Sequence, residues 1–198
     1  MHMTKWKKGR KARVGATAPG FVHISTRLVR RERRNLRTED TSLRSAKYLM
    51  SSLFLREAYQ DLVRDAAEDM QFVTGPESED YRVLSRFVVF EKNTRTAVRV
   101  TGDPQSSHRV LIALSQSGHR LLAWMHSHPG VGANATCPSG TDLAHQARLE
   151  RGGYPTIGLI TSRDGYVRFF SKDLPFTVHI TGGDVRRIDE RIYQLDLE

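Results

Sequence analysis

Two histidines and one aspartate stand at a spacing that suits a metal ion. His126 and His128 follow a short apolar run, residues 121–125, and Asp142 lies in the first turn of a predicted helix. Residues i and i+2 of an extended chain point to the same side, so both imidazoles can converge on one ion. Two histidines and a carboxylate form a ligand set of catalytic zinc sites, with the fourth position open to water. The sequence therefore predicts a zinc site at His126, His128 and Asp142.

Hydrolysis of an amide at such a site needs further groups: a base for water, an acid for the departing amine and a donor for the oxyanion. Ser139 stands immediately before the predicted helix and can direct its hydroxyl group at an oxyanion. Residue chemistry alone offers several upstream carboxylates for the proton transfer and does not choose among them. These candidates are Glu57, Glu68, Glu77 and Glu91.

The spacing of these residues resembles a known family. The run His126-x-His128-Pro with Ser139-x-x-Asp142 resembles the H-x-H-P and S-x-x-D signature of the JAMM metallopeptidases, the catalytic branch of the JAB/MPN family. Residues 68–75 resemble its E-x-x-G-x-L-x-G segment, although Gln71 and Val73 replace the inner Gly and the Leu. The segment from His128 to Ser139 is longer than in many members, and this form resembles bacterial JAMM proteins. The resemblance covers about residues 45–175.

The resemblance implies a role for each of these residues. Glu68 would be the general base and would return the proton to a leaving lysine amine, with Glu91 as the fallback. Ser139 would stabilise the oxyanion, and zinc would be the cofactor. The substrate would be a peptide or isopeptide bond after the C-terminus of a ubiquitin-like protein. The implied fold is α/β, a mixed, curled JAB/MPN-type sheet flanked by helices and similar to the cytidine deaminases.

We expect an isopeptidase of a bacterial ubiquitin-like conjugation pathway, one that can serve antiviral defence. Modifier-activating and modifier-conjugating enzymes are the expected partners besides the modifier and its conjugates. One alternative is a protease that releases a ubiquitin-like sulfur carrier. Another is a non-catalytic scaffold of the same fold, against which the intact ligand set argues.

Alternating helical and strand patterns predict an α/β domain with a mixed sheet. Helices are expected from Leu55 to about Glu68, from Ser106 or Ser107 to about Gln116, from Ser139 to about Arg151, and over residues 185–197. A hairpin turn is expected at residues 91–94. Strands are expected at residues 71–74, 82–90, 96–100, 121–125, 156–161, 166–171 and 176–180, with one more within residues 20–29.

Positive charge is concentrated at the N-terminus. Residues 1–40 contain twelve of the 31 Lys and Arg residues but three of the 22 acids, so the rest of the chain is balanced. We therefore divide the chain into a basic extension, 1–40, and a metallopeptidase domain, 41–198. A solvated extension is the favoured interpretation, and binding of nucleic acid or an acidic partner is the alternative.

Other features bear on location and on the surroundings of the site. A single cysteine, Cys137, and the lack of a long apolar run predict a cytoplasmic protein without a membrane span. Cys137 is expected to be an ordinary loop thiol, and Trp124 and Met125 to pack as core beneath the site. His145 is expected to be a polar helix position, with support of a metal ligand as the alternative.

Overall fold

The computed structural model describes residues 45–197 apart from residues 89 and 98, and it does not describe the side chain of Arg99. The helices are α1 (Ser52–Leu62), α2 (Pro104–Gln116) and α3 (Gly140–Arg151), with a short 3-10 turn at Ala133–Thr136. The strands are β1 (Ala46–Ser51), β2 (Met70–Thr74), β3 (Tyr81–Leu84), β4 (Arg86–Val88), β5 (Lys92–Thr96), β6 (Arg99–Gly102), β7 (Ala123–Ser127), β8 (Ile157–Thr161), β9 (Tyr166–Phe170), β10 (Phe176–Thr181), β11 (Val185–Asp189) and β12 (Ile192–Leu195). No helix in this part of the chain is long and apolar enough to cross a membrane.

A seven-stranded sheet forms the centre of the fold, in the order β11-β12-β9-β8-β7-β2-β4. β7 and β8 are parallel, whereas every other neighbouring pair is antiparallel. The parallel pair requires a crossover connection, which α3 provides. The prediction of an α/β domain with a mixed sheet is therefore confirmed.

The two faces of β7 belong to different cores. Ala123 and Met125 are buried in a core with α1 and β1, whereas Trp124 is buried in a second core. Successive strand residues point to opposite faces, so His126 shares the face of Trp124. Leu149 of α3 belongs to that second core as well. The sheet thus places His126 and the helix that carries Asp142 on one side.

The smaller sheets frame this centre. β1 pairs in parallel with β10 on one side and β3 on the other. β5 and β6 form a separate antiparallel hairpin. The Tyr48 hydroxyl of β1 donates to the Pro155 carbonyl at 2.5 Å, which joins the smaller sheet to the segment before β8.

The expected end of the first helix is wrong. α1 ends at Leu62, not near Glu68, and the chain then bends through residues 63–67. The Asp65 carboxylate accepts a hydrogen bond from the Ala67 amide at 2.9 Å, and the Glu68 amide donates to the Thr96 carbonyl at 2.7 Å. These bonds compete with helical ones, because an aspartate side chain can satisfy a nearby amide.

The predicted strand at residues 82–90 is two strands, β3 and β4, which enter different sheets and separate at Ser85. The predicted strand at residues 96–100 and the turn at 91–94 are displaced. Residues 92–96 are extended, and the chain turns between Thr96 and Arg99. Lys92 and Arg95 of β5 contact the buried Asp69, a tertiary interaction that local sequence does not reveal.

The predicted C-terminal helix is also wrong, because residues 185–189 and 192–195 form the antiparallel pair β11 and β12. Val185, Ile188, Ile192 and Leu195 recur at helical spacing, which is why the pattern favours a helix. β12 instead pairs with the edge of β9. The other predicted helices and strands are found near their expected positions. The predicted strand within residues 20–29 and the basic extension lie outside the described residues.

Candidate metal centre

β7 and α3 bring the three predicted ligands together. His126 lies in β7 and is 3% exposed, and His128 follows the end of the strand. Their Nε2 atoms are 2.9 Å apart. Asp142 is buried in the first turn of α3, with Oδ1 at 3.3 Å from His126 Nε2 and Oδ2 at 3.6 Å from His128 Nε2.

These spacings fit one small ion. The candidate ligand atoms all lie within 4.8 Å of one another. Tetrahedral ligands at about 2.0–2.1 Å from a zinc ion are about 3.4 Å from one another, close to the separations observed. Two imidazole nitrogens and one carboxylate are a donor set that suits zinc. The group can therefore hold a metal ion.

A loop and a strand orient His128. Its Nδ1 atom donates to the Ala135 carbonyl at 2.7 Å, which leaves Nε2 facing Asp142. The 3-10 turn that contains Ala135 is held by Arg168 of β9, whose guanidinium donates to Thr136 Oγ1 at 3.2 Å and to the Ala133 carbonyl at 3.3 Å. Such partners fix the tautomer and direction of a ligand imidazole. Arg168 is a site residue that sequence reasoning missed.

The same loop is closed against the β8–β9 turn. The Gly132 amide donates to both oxygens of the Asp164 carboxylate, at 2.8 and 2.9 Å. Gly132 has a φ of 79°, in the left-handed region that glycine adopts without strain. The Arg163 amide also donates to the Gly130 carbonyl. The long segment between His128 and Ser139 is therefore a structured loop.

Ser139 orients Asp142 through the start of α3. The Ser139 amide donates to Asp142 Oδ2 at 2.7 Å, and the Asp142 amide donates to Ser139 Oγ at 3.3 Å. This reciprocal pair is a capping box. The Ser139 hydroxyl oxygen accepts from the Asp142 amide, and its hydrogen bond to the Asp142 carboxylate helps to lower the pKa of Asp142. Ser139 is exposed, so a substrate can reach it.

Aromatic packing fixes His126. Its ring stacks on Trp124 at 4.9 Å between centroids, with 6° between the planes. The Trp124 indole donates to Gln146 Oε1 at 2.6 Å, and Gln146 in turn donates to the Thr156 carbonyl. The expected core role of Trp124 and Met125 is confirmed, since both are buried. Trp124 also contacts His126, one of the candidate metal ligands, directly.

The three ligands polarise one another. Burial would raise the pKa of Asp142, but hydrogen bonds from His126 and His128 outweigh it and hold that pKa far below its ordinary value. Burial lowers the pKa of His126. Burial would also lower the pKa of His128, yet its bonds to Asp142 and Ala135 prevail and raise it. The ionised Asp142 and the neutral His126 suit a cation, whereas the raised pKa of His128 favours a proton that a bound cation would displace.

Glu68 lies beside this group. It is half-buried, and burial raises the pKa of its carboxyl, an effect that His128 opposes and Asp142 reinforces. The other carboxylates considered are placed differently. Glu57 and Glu91 are exposed, and Glu77 forms a bidentate ion pair with Arg120 at 2.6 and 2.7 Å. Glu68 is therefore the candidate whose charge acts on the ligand group.

Of two neighbours of the ligands, Cys137 is as expected and His145 is not. Cys137 is an exposed free thiol in the loop between His128 and Ser139, here called the ligand loop. His145 lies partly buried with its ring edge-on to Trp124 at 4.6 Å, and burial lowers its pKa to about 4. His145 is thus a packed, neutral imidazole and not a simple polar helix position.

Comparison with known proteins decides the family. Residues 50–181 match the family described as prokaryotic homologs of the JAB domain. The chain belongs to this prokaryotic JAB-domain family. The match includes both histidines, the aspartate, Glu68 and Ser139, and the observed α/β architecture is that of the JAB fold. The resemblance noted from the sequence is therefore confirmed.

The chain is also similar to two further proteins over parts of its length. A stretch of 71 residues is 35% identical to the histone H2A deubiquitinase MYSM1 of Branchiostoma floridae, and covers 34% of this chain. That stretch spans only 8% of the length of the Branchiostoma protein. The solution structure of protein DSY2949 from Desulfitobacterium hafniense is similar at 16% identity and a TM-score of 0.48, over 69% of this chain and 94% of that protein.

Proposed function

We propose that this JAB-domain protein is a zinc-dependent isopeptidase or peptidase that cleaves after the C-terminus of a ubiquitin-like protein. The grouping of His126, His128 and Asp142 within 4.8 Å, in a chain of this family, carries the proposal. The deubiquitinase name of the Branchiostoma relative supports a substrate of the ubiquitin type.

His126, His128 and Asp142 would hold the zinc ion, which as a Lewis acid would polarise the scissile carbonyl and lower the pKa of water. Glu68 accepts the proton of the attacking water while the water oxygen forms a bond to the carbonyl carbon. Burial raises the pKa of Glu68, and a raised pKa makes the carboxylate a stronger proton acceptor in the first step.

Ser139 and Glu68 complete the reaction. The exposed Ser139 hydroxyl would turn its hydrogen from the Asp142 carboxylate to the oxyanion. When the carbon–nitrogen bond breaks, Glu68 returns its proton to the leaving amine. The products are a free C-terminal carboxylate on the modifier and a free amine on its former partner.

We extend the proposal to the partners of the protein. The substrates would be conjugates or precursors of a ubiquitin-like modifier in the cytoplasm of a bacterium, and modifier-activating and modifier-conjugating enzymes would act in the same pathway. Removal of a modifier can serve antiviral defence. The second catalytic candidate is a protease that releases a ubiquitin-like sulfur carrier. It would use the same groups and differ only in the substrate cleaved.

The test is cleavage of a ubiquitin-like protein that carries a C-terminal extension, followed by mass spectrometry of both products. The zinc-loaded protein should cut after the modifier's last residue, and a chelator should stop the reaction. Cleavage confined to a sulfur-carrier fusion would select the second candidate. Binding of the fusions without any cleavage would contradict the enzyme and favour a scaffold.

A further inference from the structure

The segment that carries Glu68 is held from both ends by one strand. Residues 63–69, here the base segment, connect α1 to β2. Arg95 of β5 lies between two of its carboxylates. Arg95 Nη2 donates to both oxygens of Asp65 at 2.9 Å, and Arg95 Nε lies 3.1 Å from Asp69 Oδ2. One guanidinium therefore spans the residues on either side of Glu68, an arrangement that its planar fork suits.

Asp69 is the buried end of this arrangement. Its side chain is 2% exposed and contacts three cations, which are Arg95, Lys92 Nζ and Arg64 Nη2, the last at 3.2 Å. Asp69 also accepts from the Met70 amide at 2.7 Å. A buried carboxylate needs such compensation, and the loss of one cation leaves Asp69 with only part of it.

The backbone on both sides of Glu68 is tied to the rest of the site. The Glu68 amide donates to the Thr96 carbonyl at 2.7 Å. The Asp69 amide donates to Ser127 Oγ at 3.0 Å, and the Ser127 amide donates to the Asp69 carbonyl at 3.0 Å. Ser127 stands between the two histidine ligands. These bonds fix the position of Glu68 relative to the metal ligands and to β5.

We propose that Asp69 and Arg95 are positioning residues for Glu68, through an ionic link between the β5–β6 hairpin and the base segment. The inference rests on the proposed function, because it assigns the link a role in placing the general base. The link orders Glu68 without touching the metal ligands. Its loss lets the base segment move and lowers the rate of proton transfer, since a displacement of about 1 Å can cost about 100-fold.

The first experiment separates positioning from substrate binding. Asp69→Asn removes the charge and keeps the shape, and Arg95→Gln tests the link at a partly exposed side chain whose loss leaves the core intact. In each variant kcat should fall about 10- to 100-fold, while KM and bound zinc stay at wild-type values. Arg95→Lys keeps a charge but cannot span both carboxylates, so it should restore only part of kcat.

A matched control removes an ion pair elsewhere. Arg120 pairs with Glu77 before the start of β7, at the opposite end of the strand from His126. Arg120→Gln should leave kcat unchanged. Wild-type kcat in folded Asp69→Asn and Arg95→Gln would overturn the inference, as would an equal loss in Arg120→Gln.

Hydrogen exchange tests the link without a substrate. The Glu68 amide should exchange at least ten times faster in Asp69→Asn and Arg95→Gln than in the wild type or Arg120→Gln. Unchanged exchange would overturn the positioning role even if both variants lost activity. A wild type that cleaves no fusion, with faster exchange in the variants, would instead remove the proposed function and leave the structural link supported.

Discussion

At the scale of single residues, each candidate ligand has an orienting partner of a different kind. His128 is held by a backbone carbonyl, His126 by a stacked tryptophan and Asp142 by the amide of Ser139. The ligands themselves follow from the sequence, because the i, i+2 spacing of the histidines and the helix start at Ser139 are local patterns. The sequence does not predict the two groups that support His128, because the Ala135 carbonyl lies in a folded loop and Arg168 lies in β9.

The support of the ligand loop by Arg168 predicts weaker metal binding when it is removed. Arg168→Met keeps much of the apolar side chain but frees the turn that presents the Ala135 carbonyl. Loss of such a partner weakens metal affinity by about 10- to 100-fold. Competition with a chromophoric chelator measures the change. Arg186→Met is the control, because Arg186 donates to Gln194 in the C-terminal hairpin and not to the ligand loop. The metal affinity of this variant should match that of the wild type.

The environment of Glu68 predicts how kcat falls on the acid side of its pH profile. Burial raises the pKa of Glu68, and a general base is active only when unprotonated. As pH falls through this raised pKa, kcat should therefore fall, at a pH above the ordinary glutamate value of about 4.3. A kcat–pH profile on the zinc-loaded protein measures this acid limb. An acid limb at or below the ordinary value would contradict Glu68 as the buried base.

At the scale of elements, local patterns located the parts that present the ligands. The apolar run before His126 became β7, and Ser139 became the cap of α3. Local patterns do not predict the elements that are defined by pairing with distant partners. β12 has helical spacing in its sequence, but it completes the sheet against β9. β5 is a similar case, because its residues Lys92 and Arg95 contact Asp69, which lies 23 residues before Lys92 in the chain.

The C-terminal hairpin is expected to be an integral part of the fold. Tyr193 is 5% exposed, its ring packs edge-on against Phe169 at 5.6 Å, and its hydroxyl donates to the Val178 carbonyl at 3.1 Å. Tyr193→Ala should lower the free energy of unfolding by about 3–5 kcal/mol. Tyr193→Phe loses the hydrogen bond alone and should cost about 1 kcal/mol. Urea unfolding followed by fluorescence distinguishes them, and equal, near-zero costs would contradict this packing.

At the scale of the whole molecule, the family match and the candidate site share one stretch of chain. Residues 50–181 contain all five predicted site residues, whereas the positive charge is concentrated in residues 1–40. The sequence shows this uneven distribution of charge directly, but the charge alone does not identify a binding partner. The boundary between a basic extension, 1–40, and a catalytic domain, 41–198, stays a prediction.

Removal of residues 1–40 should leave the chemistry intact, because every group assigned to the site lies in the remaining chain. We expect kcat on a short fusion and the zinc content to equal those of the full chain. Nucleic-acid binding that weakens steeply with salt and disappears with the deletion would support the alternative role of these residues. A large fall in kcat would contradict their separation from the catalytic domain.

The central claim is that His126, His128 and Asp142 hold a zinc ion on which Glu68 acts as base. Elemental analysis beside a cleavage assay tests it in the wild type, Glu68→Gln and His126→Ala. The account predicts about one zinc per chain in the wild type and in Glu68→Gln, with cleavage only in the wild type, and the loss of both in His126→Ala. A wild type without zinc, or a Glu68→Gln variant as active as the wild type, would contradict it.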